Sequence, residues 1–351
     1  MKHRIAWSVA IVVVAVGIGF LAGRGTSDAT PGDASAAAPG FAQVANADAI
    51  KAPVPVGRIR AAAATDAPLP DLDLPLLQIH DALRTRAAAG DARAACRLAA
   101  EHEACERHRI QVQAMDAHDA QLEAWIAGQP QPLEPAAQLL VEQRRAQLTD
   151  MRTQHDAARL RCEAAPVLSP GDRARYWRQA ALAGHVPAMR HYASGNAFRL
   201  HDLMDALPAL QTYRREAERV AMRAARGGDV ASLYLMAMAY ANVETGHWRP
   251  FLAQSVTPDL AKALALFSVL SRHPAITALP DGHPVADTVT RHHRELQTAA
   301  TAEETAQAAR EAASIRLLDS ASNSLQAPRP DGGMPDITTA DCNEALPPQM
   351  P

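Results

Sequence analysis

The stretch "RYWRQAALAGHVPAMRHYA", Arg175 to Ala193, contains two helix-forming runs that meet at Gly184, with a proline three residues later. Glycine after a helix takes the left-handed conformation without a Cβ penalty, and proline is tolerated in the first turn of the next helix. Alanine four residues past the glycine, Ala188, lets the second helix lie close to the first, and Tyr192 follows on the same face. The stretch therefore predicts an antiparallel helix pair.

The same spacing occurs at two other glycines, Gly90 in "RAAAGDARAACRLAAE" and Gly228 in "RAARGGDVASLYLMAMAY". An aspartate follows each glycine, and Asp91 and Asp229 are expected to cap the next helix by accepting from its first amides. Three copies of one corner predict a repeated unit. The corresponding helix positions are Ala94 and Leu98 after the first glycine, and Ser232, Met236 and Tyr240 after the second.

Composition supports a helical protein. Of the 351 residues 48% are apolar but only 4% are aromatic, and alanine, which favours helix and permits close helix packing, is conspicuously frequent. The formal net charge of -3 lacks the basic footprint of nucleic-acid binding. We expect an all-α protein that does not bind nucleic acid.

The corner segments resemble Sel1-like repeats, which are relatives of tetratricopeptide repeats. The Arg175–Ala193 stretch has the family's aromatic pair, "AA", glycine, small residue and aromatic, and "PDLAKALALFSVL", Pro258–Leu270, is similar to the first helix of a further unit. The resemblance implies a Sel1/TPR-like α-solenoid of antiparallel helix pairs over residues 71–319. It also implies that a helical surface binds a protein or peptide partner.

The distance between Gly90 and Gly184 exceeds one repeat, which indicates an insertion. Residues 106–161 are typical of two long charged helices, and the prolines of "QPQPL" break the helix between them. We therefore expect an inserted helical hairpin at 106–161. After Leu270 the sequence predicts a loop, "SRHPAITALPDGHP", then one or two closing helices and a mostly irregular tail at 320–351.

The N-terminus is typical of a membrane anchor. No charge interrupts the apolar run from Ile5 to Ala22, which is longer than the core of most signal peptides. This favours an uncleaved transmembrane helix at 1–23, with a cleaved signal peptide as the alternative. Lys2 and Arg4 predict a cytoplasmic N-terminus, so the rest of the chain faces outward, which in a bacterium is the periplasm.

Two further features concern the anchor and the segment after it. Small residues recur every fourth position at Ala15, Gly19 and Gly23, so two such helices could approach closely and form a homodimer. Residues 24–70 are rich in Pro, Gly, Ala and Asp without apolar periodicity. Such a segment cannot bury enough surface to offset its conformational entropy, and we expect a disordered linker.

Four cysteines in an oxidising compartment suggest two disulfides, and three pairings are formally open. In a hairpin centred near Gln131, Cys105 and Cys162 lie at similar distances from the turn and would meet at its base. That leaves Cys96 to hold Cys342 and the tail against the first repeat. Free or metal-bound thiols are the alternative.

The sequence offers little evidence of catalysis. The 14 histidines include the adjacent pair His292 and His293, and His102 with His108 on either side of Cys105, but none has metal-ligand spacing. We expect solvated helix histidines and no bound metal or cofactor. Nucleophile motifs and phosphate loops are also absent from the sequence, so we expect a non-enzyme.

Aromatic residues are the candidate partner anchors, because aromatic side chains are favoured at interfaces. Most are expected in the core, and a subset could line a binding surface: Tyr176, Trp177, Tyr213 and Tyr234. The sequence thus favours a non-catalytic adaptor in the bacterial cell envelope. One alternative is an assembly component of an inner-membrane complex that acts through its transmembrane helix. Another is an envelope hydrolase with an unrecognised site.

Overall fold

The computed structural model describes residues 67–243, 249–315 and 334–344. Every regular element within these ranges is helical, and none of them contains a strand, which confirms the all-α class. The predicted anchor at 1–23, its small-residue face and most of the linker lie outside the described residues. No helix in the described ranges has the length and apolar character needed to cross a membrane.

The helices follow one another with short connections. A 3-10 helix, Leu200–Ala206, separates α6 from α7, and a second one, Asp341–Asn343, lies in the tail. The α-helices are α1 Leu76–Ala88, α2 Ala92–Ala127, α3 Pro135–Gln154, α4 Asp156–Cys162, α5 Pro170–Leu182, α6 Val186–Ser194, α7 Leu207–Arg226, α8 Val230–Tyr240, α9 Phe251–Ser255, α10 Leu260–Leu270, α11 Pro274–Thr277, α12 Pro284–Ala299 and α13 Ala302–Ser314.

The three predicted corners join α1 to α2, α5 to α6 and α7 to α8. Their glycines, Gly90, Gly184 and Gly228, have φ angles of 95°, 96° and 92°, the left-handed region that penalises a Cβ atom. Asp91 and Asp229 cap the helices that follow, as predicted, by accepting from backbone amides of their first turns. Each corner therefore reverses the chain between two packed helices.

Small residues allow these pairs to pack closely. α2 contacts α5, α5 contacts α7, and α8 contacts α10, so each pair lies against the next. Alanines fill much of the contact surface, and a few large side chains, among them Trp177, Tyr213 and Phe267, are fully buried between them. Burial of each such side chain contributes roughly 1.5–3 kcal/mol, and the small residues bring the backbones near enough for it.

The insertion forms a hairpin, with two differences from the prediction. Its outgoing arm is the continuation of α2, because no glycine or proline interrupts the helix between Ala92 and Ala127. Its returning arm is divided at His155 into α3 and α4. Ion pairs connect the arms, with Arg145 Nη2 2.7 Å from Glu123 Oε1 and Arg152 Nη2 3.0 Å from Asp119 Oδ2.

The C-terminal helices pack on the helices before them. The predicted loop after Leu270 includes the short helix α11, and two closing helices, α12 and α13, follow it. In the tail, residues 334–344 are irregular apart from the 3-10 turn, but Met334, Ile337 and Cys342 are buried. Residues 334–344 are therefore part of the packed structure.

Candidate functional site

A network of buried charges lies where α2, α5, α6 and the tail meet. α2 carries Glu103 and Glu106 one turn apart on one face, so both carboxylates point toward the same neighbours. α5 supplies Arg173 and Trp177, and α6 with the loop after it supplies His191 and Arg199. None of these elements follows α2 directly in the chain, because α3 and α4 lie between α2 and α5. Tertiary packing alone therefore assembles the network.

Glu103 is its centre and is 2% exposed. Trp177 Nε1 donates to Glu103 Oε1 at 2.9 Å, and Arg199 Nη2 donates to Oε2 at 3.1 Å. Burial by itself raises the pKa of Glu103, but His191, Arg199 and Arg173 oppose it and hold the pKa at about 2. The carboxylate is therefore ionised inside the protein, with its charge balanced by neighbouring cations.

His191 is fixed on three sides. Its ring stacks on Trp177 with centroids 3.9 Å apart, and its Nδ1 accepts from the Ile337 amide at 3.4 Å. On the other side of the ring, Nε2 donates to Glu103 Oε2 at 3.2 Å. His191 thus connects the tail backbone to the central carboxylate.

Arg173 extends the network toward the surface. Its guanidinium contacts the Glu106 carboxylate, and Nη2 lies 2.7 Å from Asp202 Oδ2 on the 3-10 helix. The exposed ring of His201 reaches Glu106 Oε1 at 3.2 Å. One arginine that is 2% exposed therefore neutralises two carboxylates from different elements.

The tail completes the network through Asp336. Arg199 Nη2 lies 3.2 Å from Asp336 Oδ1, and Arg107 pairs with the other oxygen. Asn196 Nδ2 donates to the Met334 carbonyl at 2.8 Å. Both backbone and side chain of the tail are therefore recognised.

Two sets of three side chains place donor atoms within 4.8 Å of one another, as a metal ion requires: Glu103, His191 and Asp336, and Glu106, His201 and Asp202. In each set an arginine already contacts both carboxylates, namely Arg199 in the first and Arg173 in the second. A metal ion would have to share oxygens with these guanidinium groups. The arrangement therefore favours charge compensation by arginine over metal binding.

The network also lacks a nucleophile positioned by its histidine. The nearby Ser194 hydroxyl donates to the backbone carbonyl of His191 at 2.9 Å rather than to its ring. An acyl-transfer site needs a hydroxyl or thiol in contact with the base. The geometry of Glu103, His191 and Trp177 is that of a satisfied structural network.

The structure places the repeat positions predicted from sequence in the interior. These side chains are all buried: Ala94, Leu98, Ala188, Tyr192, Ser232, Met236 and Tyr240. Tyr192 donates to Glu216 Oε1 at 2.8 Å, and Tyr240 donates to Glu218 Oε1 at 2.6 Å. The hydroxyls thus find acceptors on α7 while the rings fill the core.

Three of the four candidate partner anchors are also interior, which corrects their assignment to a binding surface. Trp177 and Tyr213 have no exposed surface and Tyr234 is 4% exposed, so none can contact a partner without unpacking the core. Tyr213 donates to the Ala193 carbonyl at 2.8 Å. Only Tyr176 is part-exposed, with the Arg175 guanidinium 5.3 Å from its ring centroid.

The expectation of solvated histidines is wrong for several positions, because His102, His108, His185 and His191 are buried. Burial lowers the pKa of both His102 and His185 to about 4. Three histidines instead act as N-caps, with Nδ1 accepting from a backbone amide: His185 from Ala188, His273 from Ala275 and His283 from Val285. A proline one or two residues after each of these histidines was the available sequence signal.

Both disulfides match the pairing derived from the hairpin geometry. Cys105 bonds to Cys162 at the hairpin base, and Cys96 bonds to Cys342 in the tail. Glu103 and Glu106 flank Cys105 on α2, so the charged network lies beside the crosslink at the hairpin base. The charged members were missed because no local pattern distinguishes them from solvated helix residues.

Comparison with protein-family models, with curated proteins and with solved structures gives no match to this chain. The resemblance to Sel1-like repeats therefore rests on the residues of the three corners.

Proposed function

We propose that this protein is a non-catalytic adaptor of the bacterial cell envelope that binds a protein or peptide partner. In this proposal the helix pairs form a Sel1-like α-solenoid, held near the inner membrane by an N-terminal helix at 1–23 and a linker. Helical repeat arrays present extended surfaces to their partners. The disulfides Cys96–Cys342 and Cys105–Cys162 are consistent with an oxidising compartment outside the cytoplasm.

The main support comes from residues 334–337. This irregular segment lies on side chains of α2, α6 and the loop after α6, which satisfy its backbone, its carboxylate and its apolar side chains together. The same helical surface thus already binds an irregular polypeptide segment, although one from its own chain. This is the chemistry that an adaptor needs toward a partner.

Affinity purification of the tagged full chain from detergent-solubilised envelopes, without reductant, tests the proposal. We expect a specific partner to copurify with the wild-type chain and to be retained when the span at 1–23 is exchanged for an unrelated one. Loss of the partner with the exchanged span would instead favour an assembly component that acts through its transmembrane helix. Hydrolysis of cell-wall material by the purified protein would contradict a non-catalytic role.

A further inference from the structure

The bound tail segment is recognised partly through its main chain. Asn196 Nδ2 donates to the Met334 carbonyl at 2.8 Å, and the Ile337 amide donates to His191 Nδ1 at 3.4 Å. Backbone groups are common to all polypeptides, so these two contacts do not depend on the tail's sequence. They fix the backbone of the segment at two points.

Three side chains of the segment supply the specificity. Met334 and Ile337 are 3% and 5% exposed, and both pack against the hydrophobic core. Between them, Asp336 contacts Arg107 and Arg199, two arginines that come from different elements. The surface therefore contacts an apolar side chain at Met334, a carboxylate two positions later at Asp336 and a second apolar side chain directly after it at Ile337.

The segment resembles a bound peptide ligand, because its contacts are with other elements and it forms no regular structure of its own. Five residues beyond residues 334–337, Cys342 is bonded to Cys96 on α2. A short covalent tether holds a weak ligand at an effective concentration on the order of millimolar. Even modest contacts thus keep the surface occupied.

We propose that residues 334–337 are an internal occupant of a peptide-binding groove formed by Arg107, His191, Asn196 and Arg199. The external occupant is an extended partner segment with the same chemistry, a carboxylate flanked by apolar side chains. This proposal rests on the adaptor function and assigns its binding site. The tail competes with the partner, so binding is weaker than the groove itself allows.

Competition makes the proposal measurable with a synthetic peptide. The probe is a fluorescent peptide of residues 334–341, "MPDITTAD", titrated against the full chain by fluorescence anisotropy. The receptor is the full chain with Asp336→Lys and Ile337→Asp, which weakens the internal occupant and leaves the Cys96–Cys342 bond in place. We expect this variant to bind the peptide at least about tenfold more tightly than the wild-type chain.

Matched controls identify the groove. A peptide in which the aspartate equivalent to Asp336 is replaced by asparagine should bind the variant at least about tenfold more weakly, because it lacks the charge for the two arginines. A receptor that also carries Arg107→Glu should bind the normal peptide more weakly, because it places a carboxylate against that of the peptide. Equal binding of the aspartate and asparagine peptides, or no binding by the variant, would overturn the proposal.

A second measurement, made on the wild-type chain, tests the proposal even if the variant misfolds. In the wild-type chain, excess peptide should accelerate hydrogen exchange at the Ile337 amide while amides of α8 are unaffected. An Ile337 amide that exchanges at the same rate with saturating peptide would also overturn the proposal. Copurification of a partner that does not respond to these substitutions would refute the groove alone and leave the adaptor function standing.

Discussion

Glu103 and His191 are 88 residues apart in sequence, yet carboxylate Oε2 and ring Nε2 lie 3.2 Å apart with almost no solvent exposure. Trp177 stacks on the imidazole and donates to the same carboxylate. Three helices and the tail therefore share one polar centre. Removing the charge of Glu103 leaves His191 and Arg173 buried without their counter-charge.

The first prediction concerns Glu103→Gln, which removes the central charge and leaves Arg173 and Arg199 with fewer counter-charges. Breaking a buried ion pair from one side typically costs about 3–5 kcal/mol, and we expect a loss in that range at pH 7. Urea unfolding of the two proteins measures it. The exposed pair of Asp116 provides a control, and Asp116→Asn should change the unfolding free energy by less than about 0.5 kcal/mol.

The same substitution should change the acid sensitivity of the protein. The folded-state pKa of Glu103, about 2, lies below its ordinary value of 4.5. Its stabilisation is therefore complete above pH 4.5 and is lost as the pH falls toward 2. The Glu103→Gln variant should lack this component of the decline. An identical decline in variant and wild type would show that Glu103 titrates normally.

A third prediction concerns His185, whose Nδ1 caps α6 only while the ring is neutral. Burial lowers its pKa from 6.5 to about 4, against an opposing effect of the Glu344 and Cys342 backbone. The unfolded chain therefore binds more protons between these values, and stability falls as pH decreases from 6.5 to 4. His185→Asn retains a cap acceptor without titrating.

The unfolding free energy of His185→Asn should consequently depend less on pH. We expect a slope between pH 6.5 and 4 that is reduced by up to about 1.4 kcal/mol per pH unit. Chemical denaturation at several pH values gives the slope. The exposed His118→Asn substitution should leave it unchanged, and an equal effect of the two substitutions would contradict the role of His185.

The fourth prediction compares two glycines with left-handed φ angles, Gly195 at 87° and Gly282 at 77°. A Cβ atom on Gly195 would lie 2.5 Å from Phe251 Cβ, whereas one on Gly282 would meet nothing within 4 Å. Gly282→Ala should therefore cost about 1–2 kcal/mol from backbone strain alone. Gly195→Ala should cost about 1–3 kcal/mol more because the core is overpacked. Thermal unfolding distinguishes them, and equal costs would refute the clash.

The fifth prediction concerns the crosslink at the hairpin base. Cys105 and Cys162 have a sequence separation of 57, and loop-closure entropy predicts a loss of ~4 kcal/mol when both become serine. Cys96 and Cys342 enclose a much longer loop, with a separation of 246, so their removal should cost ~1 kcal/mol more. Denaturant unfolding of the two double variants tests the order. The reverse order would show that local packing outweighs chain entropy.

Much of the fold was predictable because its signals are local. A glycine that must be left-handed, an aspartate that caps and alanines at helical spacing are determined within about ten residues. Gly90, Asp91, Gly228 and Asp229 therefore behave as predicted. The disulfide pairing was predictable for a related reason, since a hairpin brings Cys105 and Cys162 to its base whatever surrounds it.

The side chains of the site were not predictable in this way. Trp177, Tyr213 and Tyr234 are of residue types favoured at interfaces, but the neighbouring helices cover them. Glu103 and Arg173 have the sequence context of ordinary solvated residues, and they become a buried network only because α5 packs on α2. Which face a neighbour covers depends on contacts between distant segments.

The amino-acid sequence by itself determined the helices, their corners and the crosslinks, since torsion-angle preferences and short chain connections act over a few residues. Tertiary structure alone decided which charges are buried, which histidines stay neutral and that the segment at Asp336 lies on Arg107 and Arg199. Those outcomes depend on desolvation, and a side chain is desolvated only when remote parts of the chain pack around it.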